Sequence, residues 1–239
     1  MKLSIIIPVY NEEKAIGYTL SDLKAKLKID YETIVIDDYS TDRTCIVVKE
    51  IAQGFKNVKL VTNRYKKGFA NTMKTGIDIA EGEVIVPLMA DSCDEIELIP
   101  RMYEKITEGY DIINTSRYIK GGERLGGPIS KAFFSRFASW LIHKVSGVPV
   151  TDLTNSFKAY RKKGLEDISI KSKGFEISME IVLKAYLKGY KITEMPTKWQ
   201  ERTIGRSHFG IIRHGIEFIK WLIFGLSIPL LKIKNYLLR

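Results

Sequence analysis

Residues 1–44 read MKLSIIIPVYNEEKAIGYTLSDLKAKLKIDYETIVIDDYSTDRT, and this stretch decides the fold class. Residues 3–8 form a continuous apolar run of the kind shown by a strand buried on both faces. Residues 12–28 then carry Ile16, Leu20, Leu23 and Leu27 at helical spacing, and 33–37 is apolar again. The same rhythm continues outward. It predicts a helix over 41–53, strands over 58–62, 84–88 and 111–115, and helices over 69–80 and 95–107. Strands alternating with helices imply an α/β fold: a mostly parallel, Rossmann-like sheet covered by helices. After Arg117 the rhythm breaks, and Gly121, Gly122, Gly126, Gly127 and Pro128 mark a loop.

Composition excludes several classes. With 239 residues, 45% hydrophobic and 28% charged, the chain is long enough for a substantial core. Its 7 Pro, 18 Gly and 2 Cys fit neither a disordered segment, nor a collagen repeat, nor a disulfide scaffold. Cys45 and Cys93 are too few for a zinc site, which makes a reducing compartment the expectation. The apolar run at the start is too short for a secretory signal.

The net charge of +10 is unevenly spread. Residues 1–116 carry −4, 117–163 carry +8, 164–197 balance, and 198–239 carry +6. The second half therefore expects an anionic surface, either nucleic acid or lipid phosphate, unless these are simply solvated basic faces. In an open parallel sheet, chemistry gathers at the C-terminal strand ends. Here those ends read Pro8-Val9-Tyr10-Asn11-Glu12, Asp37-Asp38-Tyr39-Ser40, Ala90-Asp91-Ser92-Cys93-Asp94 and Ser116-Arg117. Carboxylates crowded on one edge call for a cation or for hydrogen-bond donors from a ligand. The competing explanation is helix capping by Asp38, Ser40 or Asp91.

On these residues the chain resembles the family-2 glycosyltransferases of the GT-A fold, and within them the dolichyl-phosphate mannose synthase-like polyprenyl-phosphate sugar transferases. The resemblance runs over about residues 1–210. It is carried by SIIIPVYNEE, VIDDYSTDRT at 35–44, MADSCDE at 89–95, TSRYIKGGE at 115–123, DLTNSFKAYRKKGLE at 152–166, GFEISMEIVLKAYLKGYKITEMPTKW at 174–199 and RTIGRSHF at 202–209. It implies transfer of a hexose or N-acetylhexosamine from a GDP- or UDP-sugar to dolichyl or polyprenyl phosphate, with Pro8, Tyr10, Glu12, Ile36 and Asp38 holding base and ribose. Ala90 and Asp91 then form the core of a motif for Mg²⁺ or Mn²⁺, an ion that stabilises the charge on the departing nucleotide.

The chain departs from the family at that motif. Where the family reads Asp-Ala-Asp-x-Gln, this chain has Met89-Ala90-Asp91-Ser92-Cys93. Mg²⁺ prefers hard oxygen ligands, so Asp91, the diphosphate and water carry most of the ligation, with Asp94 as a secondary candidate. Cys93 reads either as a soft ligand favouring Mn²⁺ or as a packing thiol.

A lipid-phosphate acceptor is already anionic at neutral pH and requires cations rather than a general base. The resemblance implies an acceptor-phosphate set of Arg117, Lys131, Ser135 and Arg202, with Arg206 and His208 nearby. Arg117, Lys131, Arg202 and Asp91 are the expected catalytic residues. Lys131 replaces a common arginine and loses its bidentate fork.

Two stretches read as amphipathic. In 129–146, Phe133, Phe137, Trp140 and Leu141 share a face; in 211–227, Ile212, Ile216, Ile219, Ile223 and Leu226 do. They suit the plane of a membrane surface, or else packing on the catalytic domain. The run over 221–231 falls short of the roughly 20 residues that span a bilayer. The division expected is a catalytic domain over 1–210 and an interface tail over 211–239, peripheral on the cytoplasmic face of a membrane. An acceptor that is a saccharide hydroxyl, and a non-enzymatic protein binding anionic lipid or nucleic acid, are the competing readings. No nucleic-acid module is recognisable in the sequence, and nothing in it fixes an oligomeric state.

Overall fold

The computed structural model describes residues 2–204 and 211–237. Its centre is a seven-stranded sheet in the order β3-β2-β1-β4-β7-β5-β8. The strands are β1 (Leu3–Val9), β2 (Tyr31–Asp37), β3 (Val58–Thr62), β4 (Val84–Pro87), β5 (Ile112–Ser116), β7 (Lys158–Arg161) and β8 (Ile192–Pro196). The first four are mutually parallel, with Leu3 opposite Tyr31 and Val9 opposite Asp37. β7 runs antiparallel between β4 and β5, and β8 lies parallel to β5. A mostly parallel α/β sheet covered by helices is therefore what the sequence rhythm builds.

Each strand feeds two apolar layers. Leu3, Ile5, Ile7 and Val9 face α1 (Ile16–Lys26), α2 (Thr44–Gly54) and α4 (Ile99–Thr107). Ile6, Ile34 and Ile36 face α3 (Phe69–Ile79), α5 (Ile129–Ser146), α7 (Ile177–Leu187) and α8 (Ile211–Leu237). Period-2 alternation on a sheet buried on both faces produces this division. A short α6 (Lys162–Glu166) follows β7. The α3 helix sits so close to β1 that a Cβ on Gly76 would meet Ile6 Cγ2 at 2.4 Å, so only glycine fits there.

Three elements differ from expectation. The first helix starts at Ile16 rather than near 12, because the backbone N–H groups of Glu12 and Glu13 donate to Thr44 Oγ1 and Asp42 on the neighbouring loop. The glycine-rich segment after Arg117 is not all loop: β6 (Glu123–Leu125) pairs in parallel with β9 (Lys198–Gln200) in a small second sheet. Last, the tail is a single 27-residue helix. One of its faces packs on α5 and α7, with Ile228 fully buried (0%) and Gly225 against Ile142. Its other face leaves Ile216, Ile219 and Ile223 exposed. The α5 stripe of Phe133, Phe137 and Trp140 also faces outward, its rings stacked 6.1 and 6.0 Å apart. Among the described residues, no helix is long and apolar enough to cross a membrane.

Candidate active site

The C-terminal ends of β1, β2 and β4 share an unusual backbone feature. The non-glycine residues with left-handed φ among those described are Asn11 (53°), Tyr39 (62°) and Ser92 (56°), each just beyond one of these strands. Such conformations persist where surrounding bonds over-determine them, and they cluster at ligand sites. Asn11 N–H donates to Ser40 Oγ at 3.0 Å, and Asn11 Oδ1 accepts from Thr41 N–H at 2.8 Å, stitching the first two loops together. Ser92 Oγ pairs with Thr19 Oγ1 at 2.9 Å, and Thr19 Oγ1 also donates to the Ala90 carbonyl.

The capping explanation for the acidic clusters does not apply, since neither α2 nor α4 with its leading turn carries a side-chain cap. Asp38 instead accepts from Asn63 Nδ2 at 2.8 Å and Gly68 N–H at 2.9 Å, holding the loop into α3. That loop places Lys67 Nζ 3.4 Å from the centre of the Tyr10 ring. Pro8 and Ile36 stand opposite each other in the sheet register, and Ile36 is fully buried. The Ile36 side chain thus packs into the core beneath the sheet end, on the α3 side.

The β6–β9 sheet crosses above the metal-motif loop: Gln200 N–H donates to the Cys93 carbonyl at 3.3 Å. Beyond it, Arg202 reaches Glu12 bidentately, with Nη2–Oε2 at 2.6 Å and Nη1–Oε1 at 3.1 Å. Tyr18, Asp91, Ser92, Gln200, Arg202 and Ile204 line a cleft of about 120 Å³ here. Burial opposes the charge of Arg202, but Glu12 and then Asp91 raise its pKa further.

Asp91 is half-buried, and its Oδ1 accepts from Cys93 N–H at 3.2 Å. Asp94 accepts from Met89 N–H, and burial together with the Asp91 charge pushes its carboxyl up to about 7. Cys93 is enclosed at the base of this loop. Its buried Sγ donates to the Asp91 carbonyl at 3.6 Å, and burial followed by the Asp91 charge pushes the thiol above its ordinary value. Among the described residues, no group of three His, Cys, Asp or Glu side chains gathers to hold an ion. The loop thus offers the half-buried carboxylate of Asp91, with Asp94 beside it. That fits a divalent ion that arrives with phosphate oxygens and keeps its waters, as Mg²⁺ commonly does.

The acceptor side is built differently. Arg117 lies just past β5 and donates to Asp152 through its backbone N–H (3.2 Å), Nε (2.7 Å) and Nη2 (2.8 Å). Nη2 also reaches Thr154 Oγ1 at 3.1 Å, and Thr154 Oγ1 pairs with Ser135 Oγ on α5. Burial would raise the Asp152 carboxyl, yet the Arg117 charge and hydrogen bonds hold it below the usual carboxylate range. Tyr118 packs beneath Arg117 and Arg136, at 5.2 and 5.7 Å from its ring centre. Lys131 sits in the first turns of α5, with its side chain outside the described residues, as are Arg206 and His208.

Electrostatics tie the two sides together. Arg117 and Asp91 both act on Asp94, and Asp91 acts on Arg202. Asp152, Thr154 and Lys67 went unassigned in the sequence. The DLTN block was visible there, but nothing in its spacing shows that Asp152 folds back on Arg117.

A helix-covered parallel sheet with polar groups on its carboxyl edge and a basic wall beside them is the architecture of a nucleotide-sugar-dependent transferase of GT-A type. The family model described as "Glycosyl transferase family 2" matches residues 4–169, and the chain belongs to that family. It is 31% identical over 231 residues to "Dolichol-phosphate mannosyltransferase" of Pyrococcus furiosus, a match covering 92% of this chain and 64% of that relative. It is 30% identical over 205 residues to "Dolichyl-phosphate hexose transferase" of Haloferax volcanii, covering 84% of this chain and 83% of that one. The chain thus spans a little under two thirds of the Pyrococcus protein. Its fold is similar to that of glucosyl-3-phosphoglycerate synthase from Mycobacterium tuberculosis, crystallised with Mn²⁺ and UDP, with a TM-score of 0.72 at 16% identity over 95% of this chain and 81% of that one. The same synthase has also been crystallised with Mg²⁺ and UDP.

Proposed function

We propose that the protein transfers a hexose or N-acetylhexosamine from a GDP- or UDP-sugar to a dolichyl or polyprenyl phosphate at a membrane surface. One observation carries the reading. Asp91 and Arg202 line one cleft, where Arg202 is paired with Glu12, and Asp94 beside them feels both the Asp91 charge and, from the acceptor side, that of Arg117. Anionic donor and anionic acceptor would then meet between two fixed guanidiniums. The dolichyl-type acceptor is supported by the names of both relatives.

In this reading Tyr10, Glu12 and Asp38 with its loop receive the nucleoside. Asp91 would hold a divalent ion on the diphosphate, where the ion's positive charge stabilises the departing nucleotide. Arg117 and Ser135, with Lys131, Arg202, Arg206 and His208, hold the acceptor phosphate. A phosphate oxygen attacks the anomeric carbon, the bond from that carbon to the diphosphate oxygen breaks, and the leaving diphosphate keeps the electron pair. The acceptor needs no deprotonation at neutral pH, so the step is a single displacement with inversion. In this reading the active edge faces lipid on the cytoplasmic side of a membrane, which the exposed stripes of α5 (Phe133, Phe137, Trp140) and α8 (Ile216, Ile219, Ile223) support.

The test incubates the protein with labelled GDP- and UDP-sugars, polyprenyl phosphate and Mg²⁺, followed by organic extraction and assignment of anomeric configuration. Label in the organic phase with inverted configuration supports the proposal. Label that appears only on a saccharide hydroxyl, or a product of retained configuration, overturns it.

A further inference from the structure

The acceptor side contains a charged side chain with no role so far. Lys158, on β7, is fully buried (0%). Its Nζ donates to Asn114 Oδ1 on β5 and to the Leu153 carbonyl at 3.4 Å. A buried ammonium is expensive unless opposite charges surround it. The charges acting on it are Asp152 from the 151–155 turn, Glu194 from β8 and Arg117 from the end of β5. From α5 the turn receives the uncharged Ser139 hydroxyl, which accepts from Leu153 N–H. Glu194 is tied into the same turn, accepting from Thr151 N–H, Asp152 N–H and Asn114 Nδ2.

Counting formal charge explains why a lysine is buried here. Arg117 and Asp152 cancel, and Glu194 adds a negative charge behind them. Without Lys158 the cluster presents −1 to an incoming phosphate; with it, the cluster is neutral and the guanidinium outermost. We propose that Lys158 is a positioning residue for the acceptor phosphate, offsetting Asp152 and Glu194 from behind so that Arg117, oriented by Asp152, keeps its pull on the anion. The inference rests on the lipid-phosphate reading above.

Its signature is a pH dependence. Burial pushes the Lys158 ammonium down to about 7, against the pull of Asp152 and Glu194. Below that pH the lysine is charged and the acceptor binds well. Above it the cluster gains a negative charge, and acceptor KM rises.

The experiment measures polyprenyl-phosphate and nucleotide-sugar KM from about pH 6 to about pH 9. It compares the full-length protein with Lys158→Met, Lys158→Arg and Asp152→Asn. In the unchanged protein, acceptor KM should climb roughly three- to tenfold across pH 7, the range for one charge acting through a partly screened separation, with donor KM unmoved. Lys158→Met should show the high value at every pH. Lys158→Arg, which stays charged, should keep the low value on the alkaline side. Asp152→Asn should shift the rise to lower pH, because the lysine loses the carboxylate that pulls hardest on its charge. Ionisation of the lipid phosphate itself contributes equally to all four proteins and drops out of the comparison. An unchanged alkaline rise in Lys158→Met overturns the role of Lys158 while leaving the acceptor assignment standing. If that variant does not fold, Lys158→Arg decides alone: a flat alkaline limb supports the role and a rise matching the unchanged protein overturns it. Transfer to a saccharide hydroxyl but not to lipid phosphate overturns the underlying reading and this inference with it.

Discussion

Arg117 and Arg202 both grip a carboxylate, and the two grips are built to different specifications. Arg117 meets an Asp152 whose side chain has no exposure, through three donors, and the 151–155 turn is itself braced by Glu194 and Asn155. Arg202 meets Glu12 through two donors across 190 residues, with both side chains slightly open to water (13% and 12%). The first pair has its carboxylate in the interior and presents a guanidinium already oriented. The second closes the β6–β9 sheet over the donor loops, and it uses the carboxylate that the nucleoside is proposed to engage. The acceptor wall is pre-built, whereas the donor mouth is latched by groups a ligand can compete for.

The sharpest test of that contrast lies between the two arginines. Asp91→Ala should lower transfer roughly a hundred- to a thousandfold, the scale for removing a group that stabilises developing charge. Thermal unfolding should scarcely change, because Asp91 sits in a loop past a strand end. Turnover near that of the unchanged protein would remove Asp91 from the mechanism. Met89→Asp adds a second oxygen ligand, and Mn²⁺ titration by electron paramagnetic resonance in the presence of nucleoside diphosphate should register tighter binding, by about tenfold or more.

Next comes the buried pair. Asp152→Ala leaves Arg117 enclosed without its partner and should cost about 3–5 kcal/mol in urea unfolding. The Asp152 carboxyl is held below its ordinary value in the fold, so its contribution is present above the unfolded value and lost as pH falls through the folded one. The gap between the unchanged protein and Asp152→Ala should therefore narrow in acid. A gap that stays constant from neutral pH down into acid would mean that the pair's charge is not what stabilises the turn.

Glu12→Gln addresses the other pair and should act mainly on function. Losing one charge from a partly exposed pair changes stability by about 1 kcal/mol or less. Donor KM should rise several-fold while acceptor KM moves less, since the Gln side chain keeps one hydrogen bond to Arg202. Equal shifts in both constants would show that the latch serves the acceptor as much as the donor.

The same contrast explains what the sequence disclosed. The donor half was legible because each strand, turn and acidic cluster lies in one contiguous stretch: strands 3–8 and 33–37 were placed to within a residue or two of Leu3–Val9 and Tyr31–Asp37. The acceptor half was legible as charge but not as structure. β7 enters the sheet antiparallel, and it brings Lys158 beside Asn114, 44 residues earlier in the chain. Hydrophobic periodicity reports burial of apolar faces, and a buried lysine breaks that pattern without revealing its partner. The β6–β9 pairing was hidden for a related reason: two three-residue strands more than 70 residues apart leave no periodic trace. Cys93 was legible as a thiol beside an acidic loop, but not as a buried one.

The mildest effect expected concerns how the acceptor end meets its lipid, and it separates the two sides once more. Ser135 sits on α5, the helix whose outward face carries Phe133, Phe137 and Trp140. Aromatic burial at an interface and attraction of nearby cations, about 1 kcal/mol each, act together, so neither alone holds the protein firmly. Replacing Phe133, Phe137 and Trp140 together by serine should weaken flotation with anionic vesicles by about tenfold, and added salt should weaken it further. These side chains touch none of the donor groups, so nucleotide-sugar KM should be unaltered. Acceptor KM should rise for long-chain polyprenyl phosphate and stay level for a short, soluble phosphate, because only the long chain must be collected from a bilayer. Truncation after His208 should resemble the triple substitution and add a loss of stability, since α8 also covers Ile142 and buries Ile228. If the unchanged protein remains unbound by anionic vesicles at every salt concentration, these faces are contacts for protein, and the acceptor end does not meet its phosphate at a membrane surface.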